Sequence, residues 1–402
     1  MNIDVVRRNR ELRRFKEPSG FDAFFRAALA LLAVTALTVF YRVASAADSE
    51  LALQSRLATG SVSFSSLAGS AACPFWHINF KALYSLGVPF TWAAAITCTA
   101  YKLLGFVLVQ RIVYLYLMPE ASARLATLLA LAVMFVSAVR IPSMNPDVFA
   151  GVGSPTVWHD PVQIVGLAAA LLCLFYAAHC VFAFRELRDQ EENRGAAPAW
   201  KQAGVLAALL LLCALCGIDF LWAFLPAFGV YLLALWVKHR KLPRFFPQML
   251  LAFLPAAVYV ALRVAGGADG AGVSLSLTSV WLAVRNMLLM TAFPLFVLLL
   301  IHRKDSFRDP ALVLCLLLIV VSTAEAALFV RIGADTNRAG MTAAFLMWVV
   351  MLPRFATAVF DYRYERLRLQ QDEKIGAIPA AALARKQARL NLKSLGLLAG
   401  II

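Results

Sequence analysis

Twice along the chain a tryptophan stands beside a histidine, in Cys73-Pro74-Phe75-Trp76-His77 and in Thr156-Val157-Trp158-His159-Asp160-Pro161. An indole face can stack on a sugar ring while the neighbouring imidazole exchanges a proton near neutral pH. Trp76, His77 and Trp158 are therefore candidate substrate contacts, and His159 with Asp160 candidate catalytic groups. The same tryptophans also suit an aromatic belt at headgroup level, and Asp160-Pro161 also reads as a helix start whose carboxylate faces the positive end of the helix dipole. Asp48 and Glu50 follow the first apolar stretch. Carboxylates in that position serve as general base on a hydroxyl acceptor, hold a divalent cation against a diphosphate leaving group, or stand simply solvated. Arg140, Arg331 and Arg338, with Glu325, make a third group. Guanidinium forks bind phosphate in bidentate fashion, so together they suggest a cationic pocket for a pyrophosphate; any one of them alone can be a side chain snorkelling to an interface.

No spacing of histidine with another ligand marks a metal site, and Cys213-x-x-Cys216 lies inside an apolar stretch, where helix packing is the plainer reading. The cofactor is thus unassigned, with a divalent metal the open alternative. There is no G-x-x-x-x-G-K-[ST] phosphate loop and no polar segment large enough for a nucleotide domain. ATP-driven transport by this chain alone is disfavoured.

These residues must be positioned by a membrane. The chain has 402 residues, of which 61% are hydrophobic and 15% charged, which excludes a water-soluble domain of this size. Apolar stretches at 22–45, 84–117, 122–140, 163–185, 203–217, 219–237, 248–266, 280–301, 311–328 and 339–359 predict an all-α bundle of about ten spans. Net charge +15 is distributed by side: 26 Lys and Arg fall in alternate loops and both termini, against four in the intervening loops. The positive-inside tendency then places both ends in the cytoplasm. On this reading 1–21 is a basic cytoplasmic start and 22–360 the membrane domain. Its large outward loops are 45–83 and 141–162, and 361–402 is a basic helical tail drawn to anionic headgroups. Lys102, Arg111, Arg140, Arg263, Arg285 and Glu325 lie within the spans, where an ionisable group usually turns toward a partner or a wet cavity. Asp219 and His179 read as satisfied packing.

Cys73 to His77, Val157 to Pro161, Phe293-Pro294-Leu295 and the stretch from Glu325 to Trp348 together resemble polytopic bacterial proteins of exopolysaccharide and O-antigen clusters, namely membrane glycosyltransferases of the C type and related polysaccharide polymerases. The family pattern has Tyr-Pro-Leu-Tyr-His in the first outward loop, Trp-His-Asn-Pro-Thr in the second, and Glu, Arg and an Asn-Phe-x-Trp-like segment around the last. This chain departs from it at Cys73, Phe75, Asp160 and Val162, and in the spacing of Phe345 and Trp348. The resemblance implies sugar transfer on the outer face of the bacterial inner membrane, from a polyprenyl-(di)phosphate donor to a saccharide acceptor. It maps the catalytic acid of the first loop to Asp48 or Glu50. Expected partners are the lipid-linked donor, the acceptor, the bilayer and a polysaccharide assembly complex, with no nucleic acid. A transporter or flippase of lipid-linked saccharide is the alternative, motivated by the cations inside the spans.

Overall fold

Each of the ten apolar stretches forms helix in the computed structural model of the chain, which describes residues 21–46, 49–59, 73–119, 121–136, 139–144, 158–190, 200–239, 246–265, 271–273, 277–300, 309–331, 338–375 and 380–399. Seven helices are long and apolar enough to cross a bilayer; helices at Ala123–Phe135, Trp200–Cys216 and Pro247–Leu262 are apolar but shorter. The chain is a helical, multi-pass membrane protein. Among the described residues the one departure from helix pairing is a three-residue antiparallel ladder, β1 (Ala271–Val273) against β2 (Phe329–Arg331).

In order, the helices are α1 (Phe21–Ser45), α2 (Glu50–Thr59), α3 (Pro74–Ser85), α4 (Phe90–Ile112, closing in a π turn at Val113–Leu117), α5 (Ala123–Phe135), α6 (Pro161–Gln190), α7 (Trp200–Cys216), α8 (Ile218–His239), α9 (Phe246–Ala265), α10 (Leu277–Leu300), α11 (Pro310–Leu328), α12 (Arg338–Ile375) and α13 (Ala380–Ala399). α1 lies along α4 and α5, α4 passes the contact to α6, and α6 carries α7 with α9 behind it. α11 and α12 pack on each other, on α8 and on α10, and close the bundle against α6. Phe106, Leu171, Leu174, Phe224 and Val350 are fully buried at these contacts, whereas Val34, Leu254, Leu262, Leu299 and Val320 face outward. An apolar exterior of this extent is the signature of a lipid-facing surface.

Three expectations need correction. The stretch 84–117 is not helical throughout: the chain turns at Leu86–Pro89, Gly87 adopts φ 86°, and α4 begins only after Pro89, which cannot donate a backbone hydrogen bond into a continuing helix. The apolar run 122–140 stays helical only to Phe135, where Val136 goes extended, so Arg140 sits on irregular backbone rather than inside a span. The loop 45–83 is partly helical, holding α2 and α3. Hydropathy alone cannot see these breaks, because Pro89 and Val136 interrupt the backbone without interrupting the apolar composition.

Two Asp-Pro pairs set the frame that matters for the site. Asp160 precedes Pro161 of α6, and its Oδ1 accepts the Val162 N–H at 2.9 Å; Asp309 precedes Pro310 of α11, and its Oδ1 accepts the Ala311 N–H at 2.9 Å. In both, proline opens the helix where its missing N–H costs nothing, and the carboxylate satisfies an orphan donor of the first turn. Each aspartate then meets an arginine of α12, Asp160 with Arg338 and Asp309 with Arg354. The first pair puts the start of α12 at the start of α6, and the second puts the start of α11 beside the middle of α12.

Candidate functional site

Arg338 opens α12, and its Nε lies 2.6 Å from Asp160 Oδ2 while Nη1 lies 3.9 Å from Asp219 Oδ2. Asp219 belongs to the first turn of α8. The amino ends of α6, α8 and α12 therefore meet around one guanidinium. Each end carries a partial positive charge, which the two aspartates offset. Both carboxylates and the guanidinium are largely buried, with side-chain exposures of 3% for Asp160, 14% for Asp219 and 13% for Arg338. At such burial the pairing is obligatory: removing one member strands a charge away from water. Gly217 allows this approach. A Cβ there would stand 2.6 Å from Val162 Cγ1, so the α7–α8 turn can rest on the first turn of α6 only while that residue lacks a side chain.

α3 brings a fourth amino end to the same place. Pro74 is its first residue, and Cys73 before it is fully buried. Burial, then the nearby thiol of Cys216, with Asp160 and Cys98 adding to it, pushes the Cys73 thiol well above its usual value, outweighing the backbone N–H of Trp76 that favours the thiolate. Cys73 is thus a neutral packing group rather than a nucleophile. One turn on, His77 is buried, and its Nδ1 lies 2.8 Å from the Cys73 carbonyl, which can only accept; Nδ1 therefore carries the hydrogen. Trp76 is fully buried and stacks on Phe80 with ring centroids 5.1 Å apart. Neither side chain presents a face to solvent.

Trp158 is likewise fully buried, held between Phe40 at 5.4 Å and Phe135 at 6.0 Å between centroids, with Lys102 Nζ 4.0 Å from the ring centroid. Its neighbour His159 remains partly exposed, and burial lowers the imidazole below its ordinary value, so the ring is a neutral base at pH 7. A narrow recess runs between α4, α5, α6 and α12, walled by Met134, Met341, Phe345 and Trp348, with Lys102 and Gln163 also lining it. The room left between its side chains would seat a water molecule rather than a sugar ring. Trp348 closes it from one side, stacked on Phe293 at 4.6 Å and donating its indole N–H to the Met290 carbonyl at 3.3 Å.

The expected residues thus divide. Asp160 and Arg338 are brought into direct contact, with His159 adjacent and His77 on the helix whose first turn abuts them. None of His77, His159 and Arg338 lines the recess. Arg140 is exposed on the 139–144 segment, and Glu325 is partly buried near the end of α11 with Oε2 shielded. Arg331 is placed only by its backbone, paired with Ala271 in the ladder. Asp48 and the side chain of Glu50 lie outside the described residues. Asp219, read from the sequence as packing, is a member of the cluster. Its signal was a carboxylate directly after Gly217-Ile218 in an otherwise apolar hairpin. Among the described residues no three of His, Cys, Asp and Glu gather closely enough to hold a metal ion. The chain matches no family model, no curated protein and no solved structure in the three comparisons made.

Proposed function

We propose that this protein is an integral-membrane glycosyltransferase or polysaccharide polymerase, acting on polyprenyl-(di)phosphate-linked sugars at the outer face of a bacterial inner membrane. The observation that supports the reading is the meeting of Asp160, Asp219 and Arg338 at the amino ends of α6, α8 and α12, with His159, a neutral imidazole, the residue directly before Asp160 in the chain. An anionic leaving group is received at these helix amino ends in place of Asp219, the more distant of the two carboxylates on the guanidinium, and a neutral imidazole can take the proton of an attacking hydroxyl. In this scheme His159 accepts the acceptor's proton, Arg338 faces the departing phosphate, and Asp160 orients Arg338. The recess is too small for the saccharide, so the reaction takes place at its mouth. Ten crossings with both termini in the cytoplasm belong to the same proposal.

The test is mass spectrometry of lipid-linked saccharides after deletion of the gene and complementation with variants. Accumulated donor in the deletion, unrelieved by His159→Ala or Arg338→Ala but relieved by Cys213→Ala, supports transfer. Normal product from both of the first two variants refutes the site. A second reading, a transporter or flippase of the same lipid, is favoured by Lys102, Gln163 and Thr342 forming a polar interior at membrane depth. It expects saccharide of unchanged length trapped on the inner leaflet, where a transferase expects unextended saccharide on the outer one.

A further inference from the structure

Three buried donors lie together without an acceptor. Lys102 is 4% exposed in the middle of α4, and among the described residues the ring of Trp158 is its sole polar contact. The indole Nε1 of Trp158, fully buried, has no hydrogen-bond partner, nor has the hydroxyl of Thr99, one turn from Lys102 on the same face of α4. Thr97 two residues away bonds back to the Ala93 carbonyl at 2.8 Å, as a threonine at membrane depth ordinarily does; Thr99 does not. Since Nζ stands 4.0 Å above the ring centroid and Nε1 is in the ring plane, one acceptor at the ring edge can touch both. A cation–π contact offsets only part of an ammonium's lost hydration, and an unmet buried indole N–H adds its own cost. Donors gathered in this way lack one thing, a negative charge.

We infer that Lys102, with the Trp158 indole N–H and the Thr99 hydroxyl beside it, binds a single small monovalent inorganic anion, of the halide class, where Lys102 borders the recess between α4, α5, α6 and α12. Size and charge select the class. The recess that Lys102 lines has the space of about one water, and apart from the neutral amide of Gln163 and the Trp348 indole its other walls, Val133, Met134, Leu167, Met341 and Phe345 among them, are apolar, so no second positive charge is there to meet a second negative one. One ammonium balances one halide, leaving a phosphate dianion uncompensated. Apolar surroundings favour weakly hydrated ions over strongly hydrated ones. The site would join α4 to the 158–161 turn through the ion, so occupancy stabilises the fold. This inference does not rest on the transferase reading, and its test uses no product.

The experiment is thermal unfolding of the purified full-length protein in neutral detergent, with sodium gluconate replaced stepwise by sodium chloride or bromide at constant ionic strength. The wild type is expected to show a saturable rise of about 2–4 °C with either halide. Trp158→Phe keeps the stacked ring and removes only the N–H, so it should need about tenfold more halide for half the rise; Lys102→Met should abolish it. Identical transitions in gluconate and chloride for the wild type overturn the proposal. So does a rise given by inorganic phosphate, or by anionic phosphatidylglycerol in mixed micelles, but not by halide, because either assigns the ammonium to a phosphate. If Lys102→Met fails to fold, Trp158→Phe and the wild-type titration still decide.

Discussion

The two Asp-Pro caps of α6 and α11 allow an internal comparison. Asp160→Asn and Asp309→Asn are the same chemical change at the same local structure: each asparagine can still accept the N–H of the first turn through Oδ1, so the cap survives and only the charge is lost. What differs is the surroundings. Asp160 and Arg338 are 3% and 13% exposed, whereas Asp309 and Arg354 are 33% and 20% exposed. A buried pair broken on one side costs about 3–5 kcal/mol, because the remaining charge is stranded. Asp219 at 3.9 Å keeps part of the compensation for Arg338, which places Asp160→Asn near the lower limit, about 3 kcal/mol. Water reaches the Asp309 pair, and Asp309→Asn should cost about 1 kcal/mol or less. Equilibrium unfolding in mixed micelles measures both. A double-mutant cycle with Arg338→Met should recover roughly 2 kcal/mol, since the double variant strands no Asp160–Arg338 charge. Equal costs at the two aspartates, or strictly additive effects in the cycle, would refute the reasoning that burial sets the strength of the cluster.

Gly217→Ala should destabilise by about 1–3 kcal/mol through the collision with Val162, and Val162→Ala should restore part of the loss in the same unfolding assay. Burial lowers the imidazole pKa of His159, so the unfolded chain takes up a proton before the folded one. Stability should be flat above about pH 6.5 and decline below it, and His159→Gln should flatten that decline without changing the stability at pH 8. His159→Ala should lose product while keeping the wild-type unfolding transition at pH 8. Arg338→Ala should lose both, which separates a group that reacts from one that also supports the fold. Cys213→Ala, inside the α7 packing, should change neither product nor membrane insertion.

The apolar helices were legible because a bilayer demands long apolar stretches, and composition alone records that demand; how many of them cross was not, since seven are long and apolar enough to do so. Where the backbone breaks was less so: Val136 ends α5 within an unbroken apolar run, whereas Pro89 is a residue that suits a first turn or a bend, and α4 begins directly after it. At the site, Asp160-Pro161 read correctly as a helix start, because the cap is local and its partner Val162 is two residues away. Its other partner is 178 residues on, and nothing in one sequence ties Asp160 to Arg338 or to Asp219. Lys102 stood out as a charge inside a span, but the ring it rests on belongs to another segment. The tryptophan-histidine pairs were conspicuous as residues and silent about burial. Trp76, His77 and Trp158 turned inward, and only His159 kept solvent access.

α12 is one continuous helix of 38 residues, about 57 Å long, nearly twice the hydrocarbon thickness of a bilayer. Arg338 ties it to α6 and α8, and Arg354, sixteen residues or about 24 Å further along, ties it to α11. A helix fastened at two heights cannot slide along its axis, nor lean to suit a thicker or thinner membrane, without dissolving one of the fastenings. Mismatch around this protein must then be absorbed by the surrounding lipid, which thins or stretches to meet a fixed hydrophobic height.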